Sequence, residues 1–472
     1  MEKNEQIHQV FNPFLPSWEY IPDGEPHIYG DRLYLFGSHD RFNGTQFCMN
    51  DYVCWSCPLD DLSDWRNEGI IYRKSQDPAA KEDSIMQAPD VCQGPDGRYY
   101  LYYTLGLVPF MSVAVCDTPA GQYEYYGVVK YHDGTPAGLR EHDIFQFDPG
   151  VFVDDDEQIW LYSGFGPKAE GVFADACRKF CMDGAYVMGL QPDMLTVKSE
   201  PKMVFSKEGE HGFFEASSMR KIDGRYYFIY SSQLGHELCW AVGDKPDSMF
   251  TYGGTLVSNG DVGLSGKPRN YTGNTHGSLV KIGNQWYVFY HRQTNRHQYS
   301  RQACAEKISF EEGRFCQAEM TSCGLSECPL PGHGEYEARI ACNLWGKNGT
   351  LFYGVSGTPE AEEHPYFTQS GEDRECSGDQ YIANMRDGSV AGFKYFAFDG
   401  ISQIGVLINC TDSGELVVMT EPDNEPICRI PVFSTRETKW FFAEASPLLG
   451  NHALYFRFQG KGILNLYRFQ LH

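Results

Sequence analysis

The sequence predicts an all-β protein in two parts: a five-bladed β-propeller over residues 1–325, then a β-sandwich of the jelly-roll type over residues 334–472. Three observations carry this prediction. An aromatic motif recurs five times at nearly constant spacing, and a stretch rich in proline and glycine follows the fifth copy. The remaining residues then alternate apolar and polar over short runs, as half-buried strands do.

Each copy of the repeat is a polar turn followed by a short run rich in aromatic residues, which is typical of a hairpin leading into a buried strand. The copies are GDRLYLFGS (30–38), DGRYYLYYT (96–104), DEQIWLYSG (156–164), DGRYYFIYS (223–231) and GNQWYVFYH (283–291). Their central aromatics, Tyr34, Tyr100, Trp160, Tyr227 and Tyr287, lie 66, 60, 67 and 60 residues apart. About 60 residues hold one four-stranded sheet with its loops, which is one propeller blade. A strand pair at roughly 299–320 is expected to complete the fifth blade.

The C-terminal part shows a different pattern. The segment 323–340, CGLSECPLPGHGEYEARI, is typical of a linker entering a new domain. After it come short alternating runs such as DQYIANM, AGFKYFAF, QIGVLIN and GELVVMT. Short strands at this spacing predict an antiparallel β-sandwich.

Composition excludes several classes of partner. The chain has 39 basic and 63 acidic residues, a net charge of −24 and a pI near 4.9, so nucleic acid and anionic membranes would be repelled. No run approaches the ~18 apolar residues of a membrane span, and the first residues lack the pattern of a secretory signal. We therefore expect a cytoplasmic protein whose 16 cysteines are mostly reduced. The lone pair Cys54 and Cys57 lacks the second pair that a zinc site would need.

Five ionisable residues occupy the same position in the five repeats. Asp23, Asp90, Asp148, Glu215 and His276 each lie 10 to 12 residues before the central aromatic. Because the first strand of every blade lines the propeller axis, we expect these side chains to converge at one end of the channel. Clustered carboxylates repel, so at least one should have a raised pKa. A protonated acid beside an ionised base is what glycoside hydrolysis requires.

A structural explanation of the same residues stays open: each Asp would form a turn before Pro or Gly, and the His would cap a strand. The acidic run 154–156 is interpreted only as a solvated hairpin turn.

These motifs resemble glycoside hydrolase family 43, five-bladed propeller enzymes that act on arabinose- and xylose-containing glycans. The resemblance spans about residues 12–320 and includes Tyr-Ile-Pro-Asp23, Ala-Pro-Asp90-Val, Asp148-Pro, the Glu215 segment and His276-Gly-Ser. It implies that Asp23 is the general base that activates water, that Glu215 is the general acid, and that Asp148 raises the pKa of Glu215 and orients it. It also implies inversion at the anomeric carbon, with base and acid about 6.5–9.5 Å apart.

The resemblance implies further roles. His276 would contact a structural calcium at the propeller axis through water, and no other cofactor is required. Asp90 and Arg292 would contact substrate, and the alternative for Arg292 is a buried structural ion pair. Family members often carry a Trp before Ala-Pro-Asp, where this chain has Met86-Gln87. The candidates to replace that sugar-stacking ring are Phe42 and Phe214 first, and also Trp55, Phe110 and Phe165. Family members often have Asp-Pro at the base, whereas this chain has Asp23-Gly-Glu25-Pro, which makes Glu25 a rival base.

Two other resemblances are looser. The fructan hydrolases of the same clan usually carry an Arg before the middle Asp-Pro and a Cys after the acid Glu, where this chain has Phe147 and Ala216. The C-terminal part is similar to family 6 carbohydrate-binding modules, in which aromatics beside an Asn bind sugar. Tyr381, Trp440 and Asn465 are the candidates here. The alternative is a sandwich that only packs against the propeller and shapes its pocket.

The expected function is therefore an exo-acting glycoside hydrolase that releases terminal α-L-arabinofuranose from pentose-containing oligosaccharides by an inverting mechanism. A β-D-xylosidase of the same family, or an enzyme with both activities, is the first alternative. The second alternative belongs to another class, a non-catalytic carbohydrate-binding propeller. The oligosaccharide is the only partner expected, and the sequence does not predict the oligomeric state.

Overall fold

The computed structural model describes residues 6–106, 108–375 and 379–472, and it confirms the all-β prediction. The described residues form two short α-helices, α1 (Ala174–Lys179) and α2 (Pro359–Glu363), and 3-10 turns at Lys74–Gln76, Gly171–Phe173 and Ala338–Ile340. None of the described helices has the length and apolar character needed to cross a membrane. All the other regular structure is β-strand.

Five antiparallel sheets form the blades of the propeller. Blade 1 contains β1 (Gln6–His8), β2 (Glu25–Tyr29), β3 (Arg32–Phe36), β4 (Tyr52–Pro58) and β5 (Asp64–Tyr72). Blade 2 contains β6 (Met86–Gln93), β7 (Tyr99–Leu105), β8 (Ser112–Cys116) and β9 (Glu124–Val128). Blade 3 contains β10 (Gly150–Val153), β11 (Ile159–Ser163), β12 (Gly184–Leu190) and β13 (Lys202–Ser206). Blade 4 contains β14 (Phe213–Ile222), β15 (Arg225–Ser232), β16 (Leu238–Gly243) and β17 (Thr251–Val257), and blade 5 contains β18 (Ser278–Ile282), β19 (Gln285–Thr294) and β20 (Ser300–Ile308).

The five aromatic repeats are the second strands of the five blades, β3, β7, β11, β15 and β19. Each is the middle or an inner member of its sheet, so both of its faces are buried, which explains the nearly continuous apolar pattern. A separate cluster of buried apolar side chains lies at each of the five interfaces between neighbouring blades, including the interface between blades 5 and 1. These five clusters close the ring.

The prediction for the last blade is wrong in one respect. Only β20 joins blade 5, which has three strands, and residues Phe310–Glu311 (β21) and Arg314–Phe315 (β22) form a separate two-stranded hairpin. The N-terminal strand β1 pairs instead with β5 and gives blade 1 a fifth strand.

Because blade 5 has no fourth strand, one edge of β20 has no neighbouring strand. The Asn12 side chain covers part of this edge. The Asn12 carboxamide donates to the Ala305 carbonyl at 2.9 Å and accepts from the Ala305 N–H at 2.9 Å, the two bonds that a neighbouring strand would make. Pro13 follows, and its lack of an N–H explains why the ladder does not continue. Asn12 thus ties the start of the chain to the last blade.

Two six-stranded sheets pack face to face in the C-terminal sandwich and share one apolar core. The first contains β23 (Leu330–Pro331), β25 (Asn343–Trp345), β28 (Val390–Phe398), β30 (Gly414–Met419), β31 (Cys428–Val432) and β33 (Gly450–Gly460). The second contains β24 (Gly334–Glu337), β26 (Tyr366–Gln369), β27 (Gln380–Met385), β29 (Gln403–Cys410), β32 (Lys439–Glu444) and β34 (Leu464–Leu471). Strand β23 thus precedes residue 334, the expected start of this domain.

Buried polar contacts join the two domains. The Arg292 guanidinium of β19 donates to the carbonyls of Ala341 and Arg339, at 2.6 Å in each case, and lies 3.9 Å above the Phe367 ring. Lys394 of β28 is 1% exposed and pairs with Asp261 at 2.8 Å. Buried charges with fixed partners are costly to separate, so the sandwich is held firmly against the propeller.

We predict that Asn12→Ala lowers the free energy of unfolding by about 1–3 kcal/mol, because the buried N–H and C=O of Ala305 lose their partners. Asn348→Ala is the control, since Asn348 is exposed and should change stability by no more than about 0.5 kcal/mol. Urea denaturation of both variants measures the difference. Equal midpoints would contradict the role of Asn12 in closing the ring.

Candidate active site

Four of the five in-register residues line one cavity at the propeller axis. Asp23, Asp148 and His276 lie just before the first strands β2, β10 and β18, and Glu215 lies within β14. All four line a cavity of about 480 Å³. Asp90, the fifth, does not. The convergence follows from the ring, because equivalent positions of the inner strands meet at one end of the axis.

Asp23 is held as a carboxylate. Its Oδ1 lies 2.9 Å from Arg301 Nη1, 3.3 Å from His291 Nδ1 and 3.6 Å from His276 Nδ1. Burial alone would raise the pKa of Asp23, but the Arg301 guanidinium and the two imidazoles outweigh it and lower the pKa to about 2. The residue has φ +58, a strained conformation that is common at functional sites.

Glu215 is held as a neutral acid. Burial, followed by the negative charge of Asp23, raises its pKa to about 8 against the opposing effect of Arg301. The register of β14 against β15 shifts on both sides of Glu215, and Ala216 has φ +70. Such a bulge re-aims a side chain, and here the Glu215 side chain lines the cavity.

Asp148 lies beside the acid. Burial, then the charges of Glu215 and Asp23, raise the pKa of Asp148 well above its usual range. The Ser217 N–H donates to the Asp148 carbonyl at 3.3 Å, which ties Asp148 to the strand that carries Glu215. Because neither Glu215 nor Asp148 readily ionises beside Asp23, the cavity retains a proton at neutral pH.

His276 bridges the two aspartates. Its Nδ1 lies 3.6 Å from Asp23 and 3.7 Å from Asp148. Burial lowers the pKa of His276 to about 4, although the charge of Asp23 opposes this. His276 is therefore a neutral imidazole within the active cavity.

Arg301, on β20, is a functional residue that the repeat did not indicate. It is 5% exposed, and it pairs with Asp40 at 2.8 Å as well as with Asp23. Its guanidinium lies 4.6 Å from the centre of the Phe47 ring. Arg301 comes from the third strand of a blade, outside the register of the inner strands, and its partners Asp23 and Asp40 are more than 250 residues away in the sequence.

Two predicted substrate contacts are corrected by the structure. Arg292 binds backbone carbonyls of the sandwich, as described above, and does not line the cavity. The Asp90 carboxylate accepts hydrogen bonds from His27 and from the N–H groups of Val91 and Val151, each at 2.7 Å. Both side chains are thus occupied in holding the fold together.

Of the two aromatics predicted first as sugar-stacking rings, one lines the cavity and the other does not. Phe214 lines the cavity, whereas Phe42 lies outside it, stacked on Tyr20 with ring centroids 5.6 Å apart. Phe47, in the same loop as Phe42, takes the position in the cavity wall.

Glu25, the rival base, also lies outside the cavity, 3.1 Å from Arg220. Burial and the nearby Asp90 raise its pKa to about 8, so Glu25 is poorly suited to accept a proton from water.

The sandwich contributes one wall of the cavity. Residues 351–353 run beside Thr272, whose N–H donates to the Leu351 carbonyl at 3.0 Å and whose carbonyl accepts from the Tyr353 N–H at 2.9 Å. This contact places the Tyr353 side chain in the cavity. A Cβ at Gly273, which has φ +83, would lie 2.5 Å from the Tyr353 ring, so this close approach requires glycine.

The His236 ring lies between Phe214 of the propeller and Tyr353 of the sandwich. Its ring centroid is 4.3 Å from that of Phe214 and 5.5 Å from that of Tyr353, and its Nε2 lies 3.7 Å from Glu215 Oε1. Both ring nitrogens are buried without a hydrogen-bond partner, and burial lowers the pKa of His236 to about 3. A neutral imidazole held in this way can bond to a hydroxyl group of a ligand.

The sugar-binding candidates of the sandwich lie elsewhere, on its second sheet. Tyr381 stacks on Tyr467 with centroids 4.4 Å apart, and Trp440 stacks on Phe442 at 5.7 Å. The Asn465 side chain donates to Asn409 at 2.9 Å. None of these residues lines the active cavity.

Two groups of mixed ligand atoms occur in the described part of the chain. One comprises Glu25, His27 and Asp90, where the Arg220 guanidinium 3.1 Å from Glu25 already supplies positive charge. The other, His211, Glu237 and Cys239 on blade 4, has no such cation beside it among the described residues.

Comparisons with known proteins identify the family of this chain. The model of glycosyl hydrolases family 43 matches residues 12–315. A xylosidase/arabinosidase from Thermoclostridium stercorarium is 49% identical, over 98% of this chain and 99% of its own length.

Two solved structures share the fold. A family 43 arabinoxylan arabinofuranohydrolase from Bacillus subtilis, in complex with cellotetraose, is 20% identical, with a TM-score of 0.52 over 98% of this chain and 97% of its own. An exo-β-1,3-galactanase from Phanerochaete chrysosporium is 14% identical, with a TM-score of 0.54 over 99% of this chain and 100% of its own. At these identities the likeness concerns the propeller and sandwich alone. With the family match over the propeller and the relative of equal length, the chain belongs to glycosyl hydrolases family 43 and is a glycoside hydrolase.

Proposed function

We propose that this enzyme removes terminal α-L-arabinofuranose from pentose-containing oligosaccharides, with inversion of configuration. The proposal rests on two carboxyl groups that line one cavity: Asp23, paired with Arg301 at 2.9 Å, and Glu215, whose pKa is raised by burial. Release of β-D-xylose, alone or in addition, is the first alternative, and the name of the Thermoclostridium stercorarium relative, xylosidase/arabinosidase, supports both sugars.

The mechanism follows from these protonation states. Glu215 gives its proton to the glycosidic oxygen as the bond to the anomeric carbon breaks. A water molecule attacks the anomeric carbon from the opposite side, and Asp23 takes the proton that the water loses. Arg301 Nη1, 2.9 Å from Oδ1 of Asp23, keeps this carboxylate ionised and in place. Asp148 positions the strand that carries Glu215.

The shape of the cavity favours the end of a glycan. The cavity has a volume of about 480 Å³, and side chains of both domains line it. They include Phe165, Phe173 and Phe214 from the propeller and Tyr353 from the sandwich. A walled pocket of this size suits one terminal sugar better than a continuous chain. The same features disfavour a propeller that only binds carbohydrate, because binding does not require a protonated acid opposite an ionised base.

We propose no required cofactor. Calcium prefers oxygen ligands, so the neutral His276 imidazole, with its neighbours Asp23 and Asp148, suits a calcium ion held through water rather than bound directly. An ion there would supply positive charge beside the carboxylates. The cytoplasmic location and sugar binding by the second sheet of the sandwich stay predictions.

The role of Glu215 can be tested by changing the leaving group. We predict that Glu215→Gln lowers kcat/KM for a pentose disaccharide by about 10²–10⁴-fold, since the departing sugar needs a proton. A dinitrophenyl pentoside needs little protonation and should lose far less. Asp23→Asn should lower both rates, and Glu208→Gln, at an exposed carboxylate of the loop before β14, should lower neither. Equal losses for both substrates in Glu215→Gln would contradict the role of Glu215 as the acid. Release of the retained anomer, followed by NMR, would contradict the role of Asp23 as the base that activates water.

The pH profile supplies a second test. Activity requires Asp23 ionised, which holds above its pKa of about 2, and Glu215 protonated, which holds below its pKa of about 8. We therefore predict that kcat/KM falls as the pH rises through about 8. In Glu215→Gln, the residual activity on the dinitrophenyl pentoside should lack this alkaline limb. A limb that persists in the variant would mean that another group titrates.

The wall that the sandwich provides gives a third prediction. Tyr353→Ala should raise KM for short oligosaccharides about two- to tenfold, because an aromatic contact contributes about 0.5–1.5 kcal/mol, while Tyr353→Phe keeps the ring and most of the affinity. Tyr381→Ala, on the second sheet of the sandwich and outside the cavity, is the matched control and should leave KM unchanged. Unchanged KM in Tyr353→Ala would show that the sandwich takes no part in the site.

A further inference from the structure

Blade 4 carries a cluster of three metal-ligating side chains outside the active cavity. His211 lies in the loop before β14, Glu237 directly precedes β16, and Cys239 lies on β16. One ligand atom from each side chain lies within 4.8 Å of the other two. None of the three residues lines the cavity that holds Asp23 and Glu215.

Glu237 is a buried carboxyl group without a cationic partner. Its side chain accepts hydrogen bonds from the Ser258 hydroxyl at 3.1 Å and the Thr255 hydroxyl at 3.3 Å, and it is 7% exposed. No lysine or arginine of the described residues pairs with it. An acid buried without a counter-charge is costly, and a cation would remove that cost.

The other two candidate ligands, His211 and Cys239, are also held by neighbouring groups. The His211 ring lies flat on Tyr252, with centroids 4.3 Å apart and an interplanar angle of 5°, and its Nδ1 is buried without a hydrogen-bond partner. The Tyr230 hydroxyl donates to the His211 carbonyl at 2.6 Å and fixes the backbone. Cys239 is fully buried, 3.8 Å from the Thr255 hydroxyl. The stacked ring and the buried strand hold both ligands in place.

We propose that His211, Glu237 and Cys239 bind a zinc ion, with water as the fourth ligand. Nitrogen, carboxylate oxygen and thiolate sulfur form the donor set that zinc prefers, whereas calcium and magnesium take oxygen alone. Zinc bonds of about 2.0–2.3 Å place tetrahedral ligands roughly 3.3–3.8 Å apart, and the three ligand atoms lie within 4.8 Å of one another without an ion. The Cys239 thiol releases its proton to solvent as the Zn–S bond forms, and the thiolate and carboxylate then balance the charge of the ion.

The site would stabilise the segments that carry the acid. His211 precedes Glu215 by four residues, and Glu237 follows His236, whose imidazole lies 3.7 Å from Glu215. A bound zinc would therefore join the start of β14 to the turn before β16. Its role is structural, since it lies outside the cavity and contacts no reacting atom.

The test uses the full-length protein freed of metal and titrated with Co²⁺, a spectroscopic substitute for zinc. We expect one bound Co²⁺ per chain with thiolate-to-cobalt charge-transfer absorption, displacement by Zn²⁺, and a higher melting temperature with zinc. Cys239→Ser should lose this absorption and weaken zinc binding at least tenfold. Cys54→Ser, at a fully buried cysteine on β4 of blade 1, is the matched control and should retain both.

His211→Ala provides an independent variant, since its side chain lies in a partly exposed loop and its loss should leave the fold intact by circular dichroism. It should weaken zinc binding at least tenfold. Absence of the absorption in the wild type, or its persistence in Cys239→Ser, would overturn the proposal. These readouts do not involve catalysis, so they stand or fall separately from the proposed glycosidase activity.

Discussion

The ion pair between Arg301 and Asp23 determines which carboxyl group of the cavity is ionised. Burial by itself would raise the pKa of every acid there. The guanidinium 2.9 Å from Asp23 reverses this for one residue, and the resulting negative charge then raises the pKa of Glu215. Arg301 is in turn fixed by Asp40 at 2.8 Å. Arg301 thus keeps Asp23 ionised, while burial, followed by the charge of Asp23, keeps the proton on Glu215.

This arrangement depends on the closed ring. The inner strands bring Asp23, Asp148 and Glu215 to one end of the axis, and the backbone bends sharply at each place: φ is +58 at Asp23, +44 at Asp148 and +70 at Ala216, next to Glu215. Such conformations persist only where the surroundings hold them. Five apolar interfaces between neighbouring blades provide that support. Asn12 adds to it by covering the open edge of blade 5.

The sequence predicts well what depends on local pattern. The aromatic repeat marks the second strand of each blade because turn residues and a doubly buried strand leave a local signature. The spacing from that strand also identifies which residues reach the axis, including Asp23, Asp148, Glu215 and His276.

The spacing in the sequence does not show which groups a side chain contacts in the folded protein. Asp90 is in register, yet the N–H groups of Val91 and Val151 and the His27 ring occupy its carboxylate. The residues that sequence reasoning missed reach the cavity by routes without a repeat: Arg301 from a third strand, His236 from a turn, and Tyr353 from the other domain. Arg292, which has the same charge as Arg301 and lies on the adjacent strand, instead binds carbonyls between the domains.

Tyr353 connects the sandwich to the chemistry of the propeller. Burial is the largest cause of the raised pKa of Glu215, and Tyr353, with the His236 ring between it and Phe214, forms part of the wall that buries this acid. A cavity without that wall would admit water near Glu215, lower its pKa and weaken it as an acid at neutral pH. The sandwich therefore affects the proton on Glu215 as well as the space around the sugar, which makes the two domains one catalytic unit.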